Sequence, residues 1–184
     1  MMKKLLVPAI LLILLSGCAK PIYSVDRSGG LASVTYVRHD VNHYISEQTG
    51  DVIPAAEKET FAGKMISTEY RRTFPTVIYL YQSVECSKSP AIMGRLDLKK
   101  PSTTSATFQV KAGVPLVNSF RTKFQSCQRD CYKHFYTSSV FTPEENAHYE
   151  VVVEPIDGVT VYKLENGAKH LLEVTSNLPK ACQF

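Results

Sequence analysis

Residues 149–174 read Tyr149-Glu150-Val151-Val152-Val153-Glu154-Pro155-Ile156-Asp157-Gly158-Val159-Thr160-Val161-Tyr162-Lys163-Leu164-Glu165-Asn166-Gly167-Ala168-Lys169-His170-Leu171-Leu172-Glu173-Val174. Tyr149, Val151 and Val153 alternate with Glu150, Val152 and Glu154, the period of two that sends successive side chains to opposite faces of a strand. Pro155-Ile156-Asp157-Gly158 has turn chemistry, and residues 159–164 resume the strand pattern. Glu165-Asn166-Gly167 is a type I′ hairpin signal, because that turn needs positive φ at two consecutive positions and Asn-Gly supplies it most easily. Residues 168–174 then return. Three consecutive antiparallel strands follow from this stretch alone.

Working outward, Thr76-Val77-Ile78-Tyr79-Leu80-Tyr81-Gln82 is a dense β-branched and aromatic run, the composition of a buried central strand. Residues 107–111 alternate and end at Ala112-Gly113. In 114–125, Phe120, Thr122 and Phe124 share one face while Arg121, Lys123 and Gln125 share the other. Residues 132–140 are rich in aromatic and β-branched side chains, and 31–37, 41–45 and 64–70 read as weaker strands. Helical signals are short: 54–59 opens with Pro54, and Thr142-Pro143-Glu144-Glu145 suits a cap followed by one turn. The expected fold is all-β, an antiparallel β-sandwich of about nine short strands with only short helical turns; a closed barrel is the alternative.

The chain has 184 residues, with 21 Lys+Arg, 17 Asp+Glu, five Cys, 10 Tyr, 8 Phe and no Trp. One domain is the expectation at this length, and 18 aromatic residues in a nearly neutral chain are enough for a sizeable core. Residues 1–17 differ from the rest. Lys3 and Lys4 precede an apolar run over 5–15, and without them the balance is 19 basic against 17 acidic residues, a net charge of +2. A large basic field of the kind that binds nucleic acid is therefore absent.

The order of charge then apolar run is that of a secretory signal, and 11 residues are too few to span a bilayer, which takes about 20. It ends in Leu15-Ser16-Gly17-Cys18. This resembles the lipobox of bacterial lipoproteins, in which the cysteine thiol accepts a diacylglycerol and becomes the first residue of the mature chain. The resemblance covers the first 18 residues. It implies lipidation at Cys18, a palmitate-bearing membrane anchor and, with Ala19 rather than Asp next in line, sorting to the outer membrane. Two or three acyl chains hold a protein firmly, each buried CH₂ contributing about 0.8 kcal/mol. The domain reading is therefore a signal peptide over 1–17, a lipidated N-terminus and flexible tether over 18–30 with its Ser28-Gly29-Gly30 run, and a single disulfide-stabilised sandwich over 31–184.

Four cysteines remain: Cys86, Cys127, Cys131 and Cys182. An even set in an exported chain favours two disulfides. Cys127 and Cys131 flank Gln128-Arg129-Asp130 and could close that turn, leaving Cys86 for Cys182. The rival framework joins Cys86 to Cys127 and Cys131 to Cys182. The C-x₃-C spacing is not the C-x-x-C of a redox dithiol or of half a zinc site.

Templates for chemistry are missing. There is no G-x-S-x-G elbow and no glycine-rich phosphate loop. His39 and His43 flank Asp40 at helical spacing, but in a strand context they would stand about 13 Å apart, and no Glu follows the first His. Carboxylate pairs such as Glu57/Glu59 and Glu144/Glu145 fall on short exposed turns. The expectation is a non-enzyme without cofactor or metal. A periplasmic metal-handling protein or hydrolase using His39, His43, His134, His148 or His170 is the alternative.

One surface stands out. Arg121, Lys123, Arg129 and Lys133 are interleaved with Phe120, Phe124, Tyr132, Phe135 and Tyr136. A strand pair with aromatics in the core and bases in water accounts for the pattern; so does a cationic, aromatic-rimmed hairpin facing an envelope protein or an anionic envelope component. The reading is an outer-membrane lipoprotein facing the periplasm, a binding or structural module. Its size and all-β pattern are similar to those of the small sandwich lipoprotein that anchors the type VI secretion membrane complex, which implies an accessory role in a secretion or envelope complex as a further possibility.

Overall fold

A computed structural model describes residues 21–39, 43–45, 52–54, 74–97, 104–125, 132–154, 158–175, 178–179 and 182. The strands are β1 (Leu31–Arg38), β2 (His43–Ile45), β3 (Val52–Pro54), β4 (Thr76–Tyr81), β5 (Ala91–Leu96), β6 (Ser105–Lys111), β7 (Leu116–Gln125), β8 (Tyr132–Phe141), β9 (His148–Glu154), β10 (Gly158–Glu165) and β11 (Ala168–Leu172). Nine of them form two sheets, ordered β11-β10-β9-β1-β6 and β5-β4-β7-β8, and β2 pairs with β3 as a separate ribbon. The expected all-β sandwich is the observed fold.

The meander β9-β10-β11 is antiparallel as its sequence predicts. Its second turn has Asn166 at φ 51° and Gly167 at φ 80°, both positive as type I′ demands. One pairing departs from a purely antiparallel arrangement. β1 lies between β6, antiparallel with Leu31 opposite Lys111, and β9, parallel with Ser33 opposite His148. The cause is the route of the chain. β8 delivers it beside the start of β1, and the short 142–147 turn hands it directly to β9, which must then run in the direction of β1.

Alternation sets the core. β1 and β9 each bury every second residue, so Ala32, Val34 and Tyr36 meet Tyr149, Val151 and Val153 on the inner side. From the second sheet come Ile78, Leu96, Leu116, Phe120 and Phe141. Tyr36 packs edge-on against Phe108 at 5.9 Å and tilts against Phe120 at the same separation. Three polar pairings lie within this core: the Tyr36 hydroxyl donates to Asn118 Oδ1 at 2.7 Å, Asn118 Nδ2 donates to the Tyr79 carbonyl at 3.2 Å, and the Thr76 and Thr122 hydroxyls lie 2.6 Å apart.

A second, smaller core lies on the other side of the four-stranded sheet. Thr175 bridges to Val140, and the chain beyond it lays Leu178 and Cys182 over Tyr79, Tyr81 and Val117. A disulfide joins Cys182 to Cys86, with a Cα–Cα distance of 5.3 Å. This is one bond of the first framework weighed above and excludes the rival, which needs Cys86 for Cys127. Cys127 and Cys131 lie outside the described residues.

Several expectations are corrected. Ala91–Leu96 shows little alternation, yet it forms β5, bulged against β4 at Ile78/Tyr79. Gly94 of β5 admits the Phe108 ring from the facing sheet; a Cβ there would stand 2.8 Å from Phe108 Cζ. The single helical turn expected at 142–145 is a non-helical turn in which Asn146 takes φ 60° and the Glu144 amide donates to the Tyr149 hydroxyl at 3.0 Å. Pro54 ends β3 instead of opening a helix, and 55–59, like the strand expected at 64–70, lies outside the described residues.

The tether also changes meaning from Pro21 onward. The Ile92 amide donates to the Pro21 carbonyl and the Tyr23 amide to the Ile92 carbonyl, both at 2.9 Å, so Ile22 pairs in parallel with the free edge of β5. The Tyr23 hydroxyl donates to the Gln109 carbonyl at 2.8 Å and its ring meets Phe108 edge-on. Asp26 pairs with Lys111 at 2.7 Å, a hydrogen bond that, with those from Ser28, holds the Asp26 carboxyl well below the usual carboxylate range. The run 21–30 is thus docked along the sandwich.

Candidate functional site

The outer face of the four-stranded sheet is built by the strand period. β7 pairs with β8 from Leu116/Phe141 to Gln125/Tyr132, and with β4 from Val77/Arg121 to Tyr81/Val117. Thr122 and Phe124 are buried, so Arg121 and Lys123 take the opposite face together with their partners Tyr136 and His134. The C-terminal tail covers the half of this face around Tyr81, Val117 and Val140. Among the described residues the half around Arg121 and Lys123 is left open.

In the open half the cations lie against aromatic rings. Lys123 Nζ stands 3.6 Å from the centroid of Tyr132 and 5.0 Å from that of Phe74, and those two rings meet edge-on at 5.8 Å. Arg121 Cζ lies 5.6 Å from the Tyr79 ring. Contacts of this type contribute about 0.5–2 kcal/mol each, rising as water is excluded. Both side chains are therefore positioned by the fold and half-exposed, with Tyr132 40% exposed beside them. A planar or anionic group laid on this face would meet fixed positive charge and an aromatic edge.

Of the four basic residues singled out in the sequence, the fold brings Arg121 and Lys123 to one face. Lys133 is on β8, where it pairs with Phe124. Arg129 belongs to the connection between Gln125 and Tyr132, which lies outside the described residues together with the turn between Cys127 and Cys131. The strand period gave Arg121 and Lys123 directly. Phe74 was missed because it lies well outside the interval 121–134, and only the β4–β7 pairing brings it to Lys123, whose carbonyl accepts from the Phe74 amide at 3.1 Å.

The histidines are dispersed. His39 follows β1 and its Nδ1 is 3.9 Å from Glu154 Oε1, His43 starts β2, His134 is on β8, His148 starts β9, and His170 sits on the edge strand β11. Among the described residues no three His, Cys, Asp or Glu side chains converge as a metal site requires. A depression of about 330 Å³ lies between Gly30, Gly113, Pro143, Glu144 and Glu145. Glu144 accepts from Lys163 at 2.7 Å, and the hydrogen bonds that Lys163 donates to Glu144 and then to Glu165 raise its pKa. That charge is committed to closing the turn onto β10.

No family model matches the chain, and no curated protein or solved structure matches it either.

Proposed function

We propose that this protein is a lipoprotein anchored by acylated Cys18 in the outer membrane, and that its sandwich is a non-catalytic binding or structural module facing the periplasm. The observation that carries the reading is Leu15-Ser16-Gly17-Cys18, placed directly after a charged and then apolar leader. The Cys86–Cys182 disulfide supports it, since such bonds persist in oxidising compartments beyond the cytoplasm. The surface offered to a partner is the open outer face bearing Arg121, Lys123 and Tyr132, whose chemistry suits an acidic protein patch or an anionic wall component.

The test is acylation with fractionation. Metabolic labelling with palmitate should mark the wild-type protein in the outer-membrane fraction. Cys18→Ser should lose the label and either leave the membrane or accumulate as precursor. Equal labelling of the variant overturns the reading.

A further inference from the structure

We infer that the domain lies directly on the bilayer surface in one orientation, with the end of the sheet that carries Pro21 and the Cys86–Cys182 bridge against lipid and the end that carries Lys123 and Tyr132 directed away. The inference rests on acylation of Cys18, and adds to it which part of the fold the lipid surface meets.

The argument begins with the length of the leash. The chain is hydrogen-bonded to β5 from Pro21, and three Cα–Cα steps, through Ala19 and Lys20, separate Pro21 from Cys18. Fully extended, they reach about 10 Å. A sandwich whose β7 alone has 10 residues is about 30 Å long, so such a leash cannot let it tumble freely above the membrane. Whatever surrounds Pro21 is held at the lipid surface.

The sheet register identifies those surroundings. Ile22 pairs with Ile92 in parallel, so the chain enters Pro21 from the same side from which β5 is entered, the side of the loop over 82–90. That loop holds Cys86 and exposes Val84 and Lys88. Ile22 is 83% exposed, the most exposed large apolar side chain among the described residues, and the next residue in the chain after Pro21. An isoleucine exposed to water on a docked segment is unfavourable; turned into the interfacial region of a bilayer it is favourable. Lys88 belongs to the loop at the same end, where a cation suits lipid phosphates.

The same register places the other end. Val117 of β7 faces Tyr81, next to the disulfide loop, whereas Gln125 closes against Tyr132 at the far end. Ile22 is level with Ser119 through Ile92 and Tyr79 and shares the outer face with Lys123, which is four residues beyond Ser119, about 13 Å further along the strand from the membrane end. The Lys123 and Tyr132 end of this face is thereby presented to the compartment rather than to the lipid that anchors the protein.

The chain lacks Trp, so a single introduced Trp is a clean reporter. Ile22→Trp and Tyr132→Trp would each be purified as full acylated protein, the acyl group verified by the mass of the Cys18 peptide. Each would be reconstituted in phosphatidylethanolamine/phosphatidylglycerol vesicles with and without brominated acyl chains. The expected result is emission quenched about two-fold or more for Ile22→Trp, with a blue shift, and little changed for Tyr132→Trp. Equal quenching of both, or of neither, in acylated protein overturns the orientation and leaves the lipoprotein reading intact. An unacylated Cys18 peptide overturns both. A blue shift of Ile22→Trp that grows with protein concentration in the absence of lipid assigns the surface to a second copy of the chain and overturns the inference.

Discussion

The hydroxyl of Tyr36 on β1 donates to Oδ1 of Asn118 on β7 at 2.7 Å, joining the two sheets through the middle of an apolar core. Burial, and to a smaller extent Tyr23, push the Tyr36 pKa far up, while the bond to Asn118 acts the other way. Tyr36→Phe removes the donor and leaves the amide oxygen buried without it. The expected cost is about 1–3 kcal/mol, the desolvation of an unsatisfied group, and not the smaller net value of an ordinary hydrogen bond. Urea denaturation of Tyr36→Phe, Asn118→Leu and the double variant should give strongly non-additive losses. Additive losses would mean that the two groups do not act as a pair.

The Cys86–Cys182 bond spans 96 residues and holds the tail over the second core. A closed loop of that size contributes about 4–5 kcal/mol in the chain-entropy model. Cys86→Ala/Cys182→Ala should therefore lower the denaturation midpoint sharply. It should also raise proteolysis after Thr175 while the meander β9-β10-β11 stays protected in hydrogen exchange. A loss below about 1 kcal/mol would show that the bridge constrains little that packing does not already constrain.

Tyr81 donates to the Cys182 carbonyl at 3.0 Å, and burial, followed by the proximity of Tyr79 and Tyr136, pushes its pKa up to about 12 from 10.0. The unfolded chain thus releases this proton more readily than the folded one. Its contribution to stability is fully present below pH 10 and is lost as pH rises through about 12. Phenolate absorbance followed together with circular dichroism should show a subset of tyrosines ionising only as the fold is lost. Tyr81→Phe should flatten the alkaline limb of the stability profile. Ionisation of all ten tyrosines near pH 10 in folded protein would refute this.

Arg121→Ser/Lys123→Ser removes two cations whose rings remain in place. Folding should be retained, with a loss within about 1–3 kcal/mol. Crosslinked capture of a partner from intact envelopes should fall several-fold at low salt. It should become insensitive to added salt, because the attraction that salt screens has been removed. Capture unchanged by both substitutions and by salt would place the binding surface elsewhere.

What could be read in the sequence was local. The hairpin at Asn166-Gly167 depends on the φ angles of two adjacent residues, and the alternation in β9 and β7 on side chains two apart, so both were visible. β5 was hidden because its bulge breaks the alternation, and Gly94 answers to a ring on the facing sheet rather than to its own neighbours. The parallel joint between Ser33 and His148 has no local signature at all. The same limit applied to the surface: Arg121 and Lys123 were legible as a face, whereas Phe74 joins it only through strand pairing. The docking of Pro21 to Tyr23 had one faint signal, the adjacent large apolar side chains Ile22-Tyr23 within the tether.

The position of β1 has a consequence for how the protein is made. β1 is the first long strand of the chain, yet its two neighbours are β6 and β9, the second of which starts at His148. A chain crossing a membrane N-terminus first delivers Leu31–Arg38 early and its last partner late. On the export route proposed above, an alternating apolar strand has two unpaired edges during that interval. Completion of the sandwich is thus gated by the arrival of its C-terminal fifth, and on that proposed route a holding chaperone would find its target in the waiting N-terminal strand.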